Sequence, residues 1–189
     1  MRRIALITGC TIASILTGCA GIYGGGTGGG SDPPPQEGLR NLSAVDFNDD
    51  VPLNTDPATV DLDGGMVTFT GGTAGTLGIL PLYFSDSFAW DLTAGGTSTV
   101  TFDGLDVRVV RFYFAHQGAG AATLTAEAAD GTSLGTATSF AANSLGDSNA
   151  VFEIDAGESS IARLTIDVPD GAVVALDHLV ISVPDEGGE

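Results

Sequence analysis

From Thr97 to Asp103 the chain alternates: Val100 and Phe102 fall on one side of an extended backbone, Thr99, Thr101 and Asp103 on the other. The same period recurs further on. Val110, Phe112 and Phe114 oppose Val109, Arg111, Tyr113 and Ala115, and Leu164 and Ile166 oppose Arg163, Thr165 and Asp167. Alternation of this kind predicts strands with one face buried, because successive side chains of an extended chain point to opposite sides. Between the runs stand turn signals: Asp63-Gly64-Gly65, Asp103-Gly104, Asp130-Gly131 and Asp170-Gly171. Ala121 to Ala129 is alanine-rich and on propensity alone suits a helix. Thr123, Thr125 and Glu127 alternating with Leu124, Ala126 and Ala128 predict a strand there instead. No segment sustains a 3.6-residue apolar period with caps. About ten strands at the spacing of a sandwich or barrel predict an all-β fold, an antiparallel β-sandwich of the jelly-roll kind.

The N-terminus reads differently. Arg2 and Arg3 precede an uncharged run from Ile4 to Thr17, and Gly18 stands just before Cys19. These are the n-region, h-region and small-residue cleavage site of a secretory signal. With a cysteine at the cut, Leu16-Thr17-Gly18-Cys19 resembles the lipobox of bacterial lipoproteins. The resemblance implies removal of residues 1–18 and lipid modification of Cys19. Ile7-Thr8-Gly9-Cys10 spells a second lipobox, but cutting there leaves an apolar stretch shorter than the roughly 7–15 residues of an h-region. The run also falls short of the ~20 residues that span a bilayer. By the family's sorting rule, Ala20 in place of an aspartate points to the outer membrane. A membrane partnership through the lipid, and a cell-envelope location, are therefore expected.

Residues 19–42 read as a tether. Gly24 to Ser31 is a flexible glycine-rich coil and Pro33-Pro34-Pro35 a stiffer segment. Residues 43–184 form the expected sandwich, and 185–189 an acidic tail. With Cys10 removed and Cys19 acylated, the domain has neither disulfide nor thiolate ligand, and relies on a core or a bound ion.

Charge narrows the partners. The chain carries 24 acidic and 6 basic residues, a net charge of −18 at neutral pH, and contains no lysine. Such a surface repels nucleic acid and anionic membranes. It suits divalent cations or a saline habitat.

Val100-Thr101-Phe102-Asp103-Gly104, followed by Val109 to Phe114, resembles the middle of bacterial extracellular β-sandwiches. Thr123 to Ala126, Leu134 to Ala137, Ile161 to Ile166 and Ala175 to Leu179 extend the likeness. These are jelly rolls similar to carbohydrate-binding modules, found in exoproteins that carry a PEP-type sorting tail. Here Val183 to Glu189 brings no apolar sorting helix, and the lipid on Cys19 would take that anchor's place. The resemblance implies a structural calcium between an aspartate near the last strand and one in the first, which in this chain are Asp177 and Asp46. An alternating strand from Val173 to Val183 would put Asp177 in one column with Ala175, Leu179 and Ile181, where an unpaired carboxylate costs several kcal/mol. His178 stands where the resemblance wants a second acid.

Tyr83, Phe84, Phe88 and Trp90 form the densest aromatic cluster. Exposed, Trp90 and Tyr83 would stack on sugar rings; aromatic residues in strands are more often core. His116 and His178 are the only histidines, and no nucleophile elbow, zinc signature or phosphate loop accompanies them. Glu153, Asp155 and Glu158 read as a solvated acidic hairpin rather than a glycosidase pair. The expectation is a non-catalytic binding or structural module, with a glycan as the alternative ligand and a hydrolase as the weaker alternative.

Overall fold

The computed structural model describes residues 35–42, 51, 54–76, 88–139 and 150–185. Among them lie twelve strands and no helix. In chain order they are β1 (Leu39–Asn41), β2 (Ala58–Leu62), β3 (Gly65–Thr70), β4 (Gly72–Thr76), β5 (Phe88–Leu92) and β6 (Thr97–Asp103). There follow β7 (Val109–Gly118), β8 (Thr123–Glu127), β9 (Ser133–Thr138), β10 (Ala150–Asp155), β11 (Arg163–Asp167) and β12 (Ala172–Pro184).

They form two antiparallel sheets of six strands. One runs β10-β7-β12-β5-β4, with β1 also paired to β12, and the other runs β2-β3-β6-β11-β8-β9. Among the described strands, β2 and β3, β4 and β5, and β8 and β9 pair as neighbours consecutive in the chain, and every other step in chain order passes from one sheet to the other. The expected all-β sandwich is the observed fold, and its winding between sheets is of the jelly-roll kind.

The alternation seen in the sequence sets what each face buries. Along β6, Ser98, Val100 and Phe102 are buried, while the intervening residues face outward. Leu164 and Ile166 of β11 and Leu124 and Ala126 of β8 join them from the same sheet. Val110 and Phe112 of β7, Trp90 of β5 and Leu176 of β12 close the core from the other. Phe69 and Trp90 meet edge to face across the two layers, ring centroids 5.1 Å apart, a geometry that suits the ring quadrupoles. The Asp-Gly turns form as read: Gly64, Gly104, Gly131 and Gly171 all adopt positive φ, which glycine reaches without steric cost.

Two features depart from the sequence reading. Leu39 to Asn41, assigned above to the tether, pair with Pro184 to Ser182 as β1, and Leu42 is buried. The folded body therefore begins at Leu39 rather than Ser43, because the free edge of β12 offers backbone groups that a short extended segment satisfies. The second is a bulge in β12. Asp177 pairs with Tyr113 and Val180 with Arg111, so β12 spends one residue more than β7 over that interval. His178 takes up the excess with φ 49°, a left-handed conformation in which histidine is over-represented. The bulge inverts the alternation. Ala172, Val174 and Leu176 face the core before it, Leu179, Ile181 and Val183 after it. Val173, by contrast, is 43 % exposed. The apolar column expected to hold Asp177 does not form, since Ala175 lies outside the core that Leu179 and Ile181 enter.

Candidate functional site

Of the residues singled out in the sequence, Trp90 is placed where stacking is closed to it. Its ring is fully buried, packed on Phe69 and against the backbone of Gly72. A sugar cannot reach either face, so Trp90 is a core residue. Tyr83, Asp46 and Cys19 lie outside the described residues, and Asp177 is described in its backbone alone. Among the described residues no group of three or more His, Cys, Asp or Glu is set to hold a metal ion.

The two histidines part company. His116 is buried at the end of β7, its Nδ1 2.7 Å from the hydroxyl of Ser139, which also accepts the backbone N–H of Ala122 at 2.7 Å. This Ser–His pair is shut off from solvent and secures the chain after β9 against β7. His178 occupies the bulge.

What the sequence reading missed is the outer face of the β2-β3-β6-β11-β8-β9 sheet. The pairing registers bring its outward residues into rows that cross the strands. One row is Thr70 (β3), Thr99 (β6), Thr165 (β11), Thr125 (β8) and Thr136 (β9), five threonines on five adjacent strands. On one side of it run Thr97, Asp167, Thr123 and Thr138. On the other run Thr59, Thr68, Thr101, Arg163, Glu127 and Ser133. Asp61, Met66 and Asp103 form a fourth row at the margin.

With strands about 4.8 Å apart, the five-threonine row is about 19 Å long, and adjacent rows stand about 6.7 Å apart. Every threonine in it is exposed or half-exposed. Among the described residues, the hydroxyls of Thr70, Thr99, Thr125 and Thr136 make no hydrogen bond, while Thr165 donates to Glu127 at 2.9 Å. The face carries no aromatic side chain among the described residues.

One polar cluster fixes this face. Arg163 Nε donates to Glu127 Oε2 at 2.7 Å, Nη2 lies 2.7 Å from the same oxygen, and Thr165 makes the third contact. The hydrogen bonds from Arg163 and then Thr165 hold the Glu127 carboxyl below its ordinary range. Asp167 accepts from the Thr97 hydroxyl at 2.7 Å. Both arrangements join side chains on neighbouring strands, so the grid is a rigid extension of the ladder.

The opposite sheet is less open. On its outer side Val109, Ala175, Val180 and Ser182 are buried, and Arg111, one-tenth exposed, pairs through Nε with Glu153. Asp91, beside Thr73 and Ala175 in the register, has its carboxyl raised by burial. At the sandwich edge a cleft of about 390 Å³ opens between β1 and β2, where Arg40 meets Asp63 at 3.5 Å. Both partners there are largely in water, which leaves the pair weak.

The threonine face was within reach of the sequence in one respect. Thr68-x-Thr70, Thr97-x-Thr99-x-Thr101, Thr123-x-Thr125 and Thr136-x-Thr138 are a recurrent spacing. Their alignment into rows depends on β6, β11 and β8 being neighbours, which no local pattern states.

No protein-family model matches the chain, and no curated protein matches it. Among solved structures it is similar to a carbohydrate binding module of family 29, with 13% identity over 76% of this chain and 88% of that one, at a TM-score of 0.42. A CBM29-2 mutant complexed with cellulohexaose has 12% identity, covers 78% and 93% of the two chains and gives a TM-score of 0.41. Another mutant of that module, complexed with mannohexaose, has 15% identity, covers 70% and 89%, and gives 0.40.

Proposed function

We propose that this chain is a lipid-anchored, non-catalytic module of the cell envelope that binds polysaccharide on the outer face of the β2-β3-β6-β11-β8-β9 sheet. The observation that carries the reading is the row Thr70–Thr99–Thr165–Thr125–Thr136. It presents five hydroxyls, each an acceptor and each also a donor except that of Thr165, whose proton goes to Glu127, on a rigid support at one strand spacing, a repeat comparable to one sugar in an extended chain. Adjacent strands are rotated by about 20–25°, so five strands turn the row by roughly a right angle. A planar crystalline surface meets two or three strands of such a row, whereas a single flexible polymer follows all five. Without aromatic stacking, affinity comes from hydrogen bonds of about 0.5–1.5 kcal/mol each, and many weak contacts along a polymer suit that source.

A glycan array probed with the processed protein tests the reading. Thr99→Val and Thr125→Val preserve β-propensity and shape while removing hydroxyls. Binding that these two changes abolish supports the face; a polymer bound equally by wild type and double variant rules it out. For the anchor, Cys19→Ala should release the protein from membranes, and retention of the variant would remove the lipid from the reading. Calcium at Asp46 and Asp177 is a separate proposal. A melting midpoint raised by calcium and lowered by chelator supports it, and an unchanged midpoint removes it.

A further inference from the structure

We infer that the polymer this face takes is a cationic one, a β-linked amino-sugar chain with free amines; the inference rests on the polysaccharide reading and names its ligand class. The ground is a one-sided charge balance. Each arginine among the described residues is already ion-paired: Arg40 with Asp63, Arg108 with Asp106, Arg111 with Glu153 and Arg163 with Glu127. The chain contains no lysine. On the threonine face the one guanidinium, Arg163, is spent on Glu127, which leaves Asp61, Asp103 and Asp167 with no ion-pair partner among the described residues. All three are exposed.

Their placement matters more than their number. Asp167 lies two residues along β11 from Thr165 and one row from the threonine line, about 6.7 Å away. That is the reach of a substituent on a sugar whose ring lies along the row. On the other flank the neighbouring row holds the Glu127–Arg163 pair, and Asp103 closes β6 beyond Thr101. A polymer lying on the hydroxyls therefore projects its substituents toward Asp167 on one side and toward a neutralised pair on the other, with Asp61 and Asp103 in the row beyond that pair. A uronate would meet uncompensated like charge at Asp167, and a neutral sugar would leave that charge unmatched. An ammonium on the sugar meets it.

The test compares one β-linked glucosamine polymer in two forms, fully N-acetylated and fully deacetylated, with a polyuronate and polylysine as controls, against the full processed protein at physiological salt. The expected result is at least tenfold tighter binding of the deacetylated form than of the acetylated form or of polylysine. Raising the salt weakens it. Asp167→Asn should weaken it by about two- to fivefold, as loss of one exposed charge contact does, and Thr99→Val with Thr125→Val should remove the advantage over polylysine. Circular dichroism and melting midpoints confirm that the variants fold. Equal or tighter binding of the acetylated form overturns the cationic assignment while leaving the polysaccharide reading intact. Binding of the deacetylated form no better than polylysine, indifferent to the threonine changes, overturns it as generic attraction to an acidic protein. No binding of any glycan, here or on the array, removes both.

Discussion

The buried imidazole of His116 and the buried hydroxyl of Ser139 are hydrogen-bonded at 2.7 Å, and the N–H of Ala122 completes the hydroxyl's partners. Burial pushes the His116 imidazole below its ordinary range, so the folded protein keeps it neutral. The unfolded chain protonates it near pH 6.5. The unfolded state therefore binds more protons as pH falls through that value, and stability is lost on acidification from there downward. The carboxyls of Asp106, Glu127 and Asp130 are held below their ordinary range by hydrogen bonds, first from Arg108, Arg163 and Thr132. Their contribution disappears only at lower pH, near and below about 4. Asp91, raised by burial, has the opposite sign and favours the fold on acidification through the carboxylate range. Melting midpoints followed from pH 7 to 5 should fall in wild type and stay flatter in His116→Gln. Identical slopes would show that His116 does not set the acid limb.

Trp90, the only tryptophan of the chain, is a fluorescent reporter of the core. Its emission should be blue-shifted and shielded from aqueous quenchers in the folded protein. Saturating polysaccharide should leave the maximum where it is, because the binding face proposed here is on the other sheet. A ligand-induced shift would put sugar against the ring. Trp90→Ala should destabilise by about 3–5 kcal/mol, the cost of a large core cavity, measured by denaturant titration.

Arg163 and Glu127 form the best-connected ion pair on the threonine face, yet the arginine side chain is 47 % exposed. Solvent screening limits such a pair to about 0.2–1 kcal/mol. A double-mutant cycle of Arg163→Ala and Glu127→Ala should return a coupling within that range. A coupling of several kcal/mol would mean that the pair organises more of the sheet than its contacts show.

Gly118 and Gly171 separate two costs. Gly171 adopts φ 76° in open space, so Gly171→Ala should cost about 1–2 kcal/mol for the left-handed conformation alone. Gly118, at φ 104°, would place a Cβ 2.5 Å from the Gly171 carbonyl oxygen. Backbone cannot swing aside as a side chain does, so Gly118→Ala should lower the melting midpoint further than Gly171→Ala. Equal midpoints would mean that the two strand ends separate easily.

The strands were legible because burial on one face writes itself into the sequence: β6 and β11 occupy the spans that alternate, and the Asp-Gly pairs sit at turns. The bulge in β12 was not. One extra residue at His178 reverses which residues face inward, and nothing in Val173 to Val183 marks it, since both faces there are rich in apolar side chains. β1 was hidden for a different reason: three residues beside a glycine- and proline-rich stretch carry no period of their own, and only the open edge of β12 recruits them. The threonine rows failed to appear because they are a property of register between strands distant in the chain, Thr99 beside Thr165 beside Thr125. For Trp90 the sequence leaves both an exposed stacking ring and a core ring open, and the sandwich takes the second, in the layer facing Phe69.

β1 also decides how the body responds to being pulled. Leu39 to Asn41 are held by the pairing to β12 and by the bonds from Asp185 N–H to the Gly38 carbonyl and from Leu42 N–H to the Ile181 carbonyl. Among the described residues, tension drawn through Gln36 meets its hydrogen bond to Glu153 and then those few bonds, and β12 keeps its long pairing with β7 when they part. The four residues released would pay out roughly 13–14 Å of slack at the loss of one core side chain, Leu42. A three-residue strand at one edge can part from β12 and leave the two sheets otherwise closed.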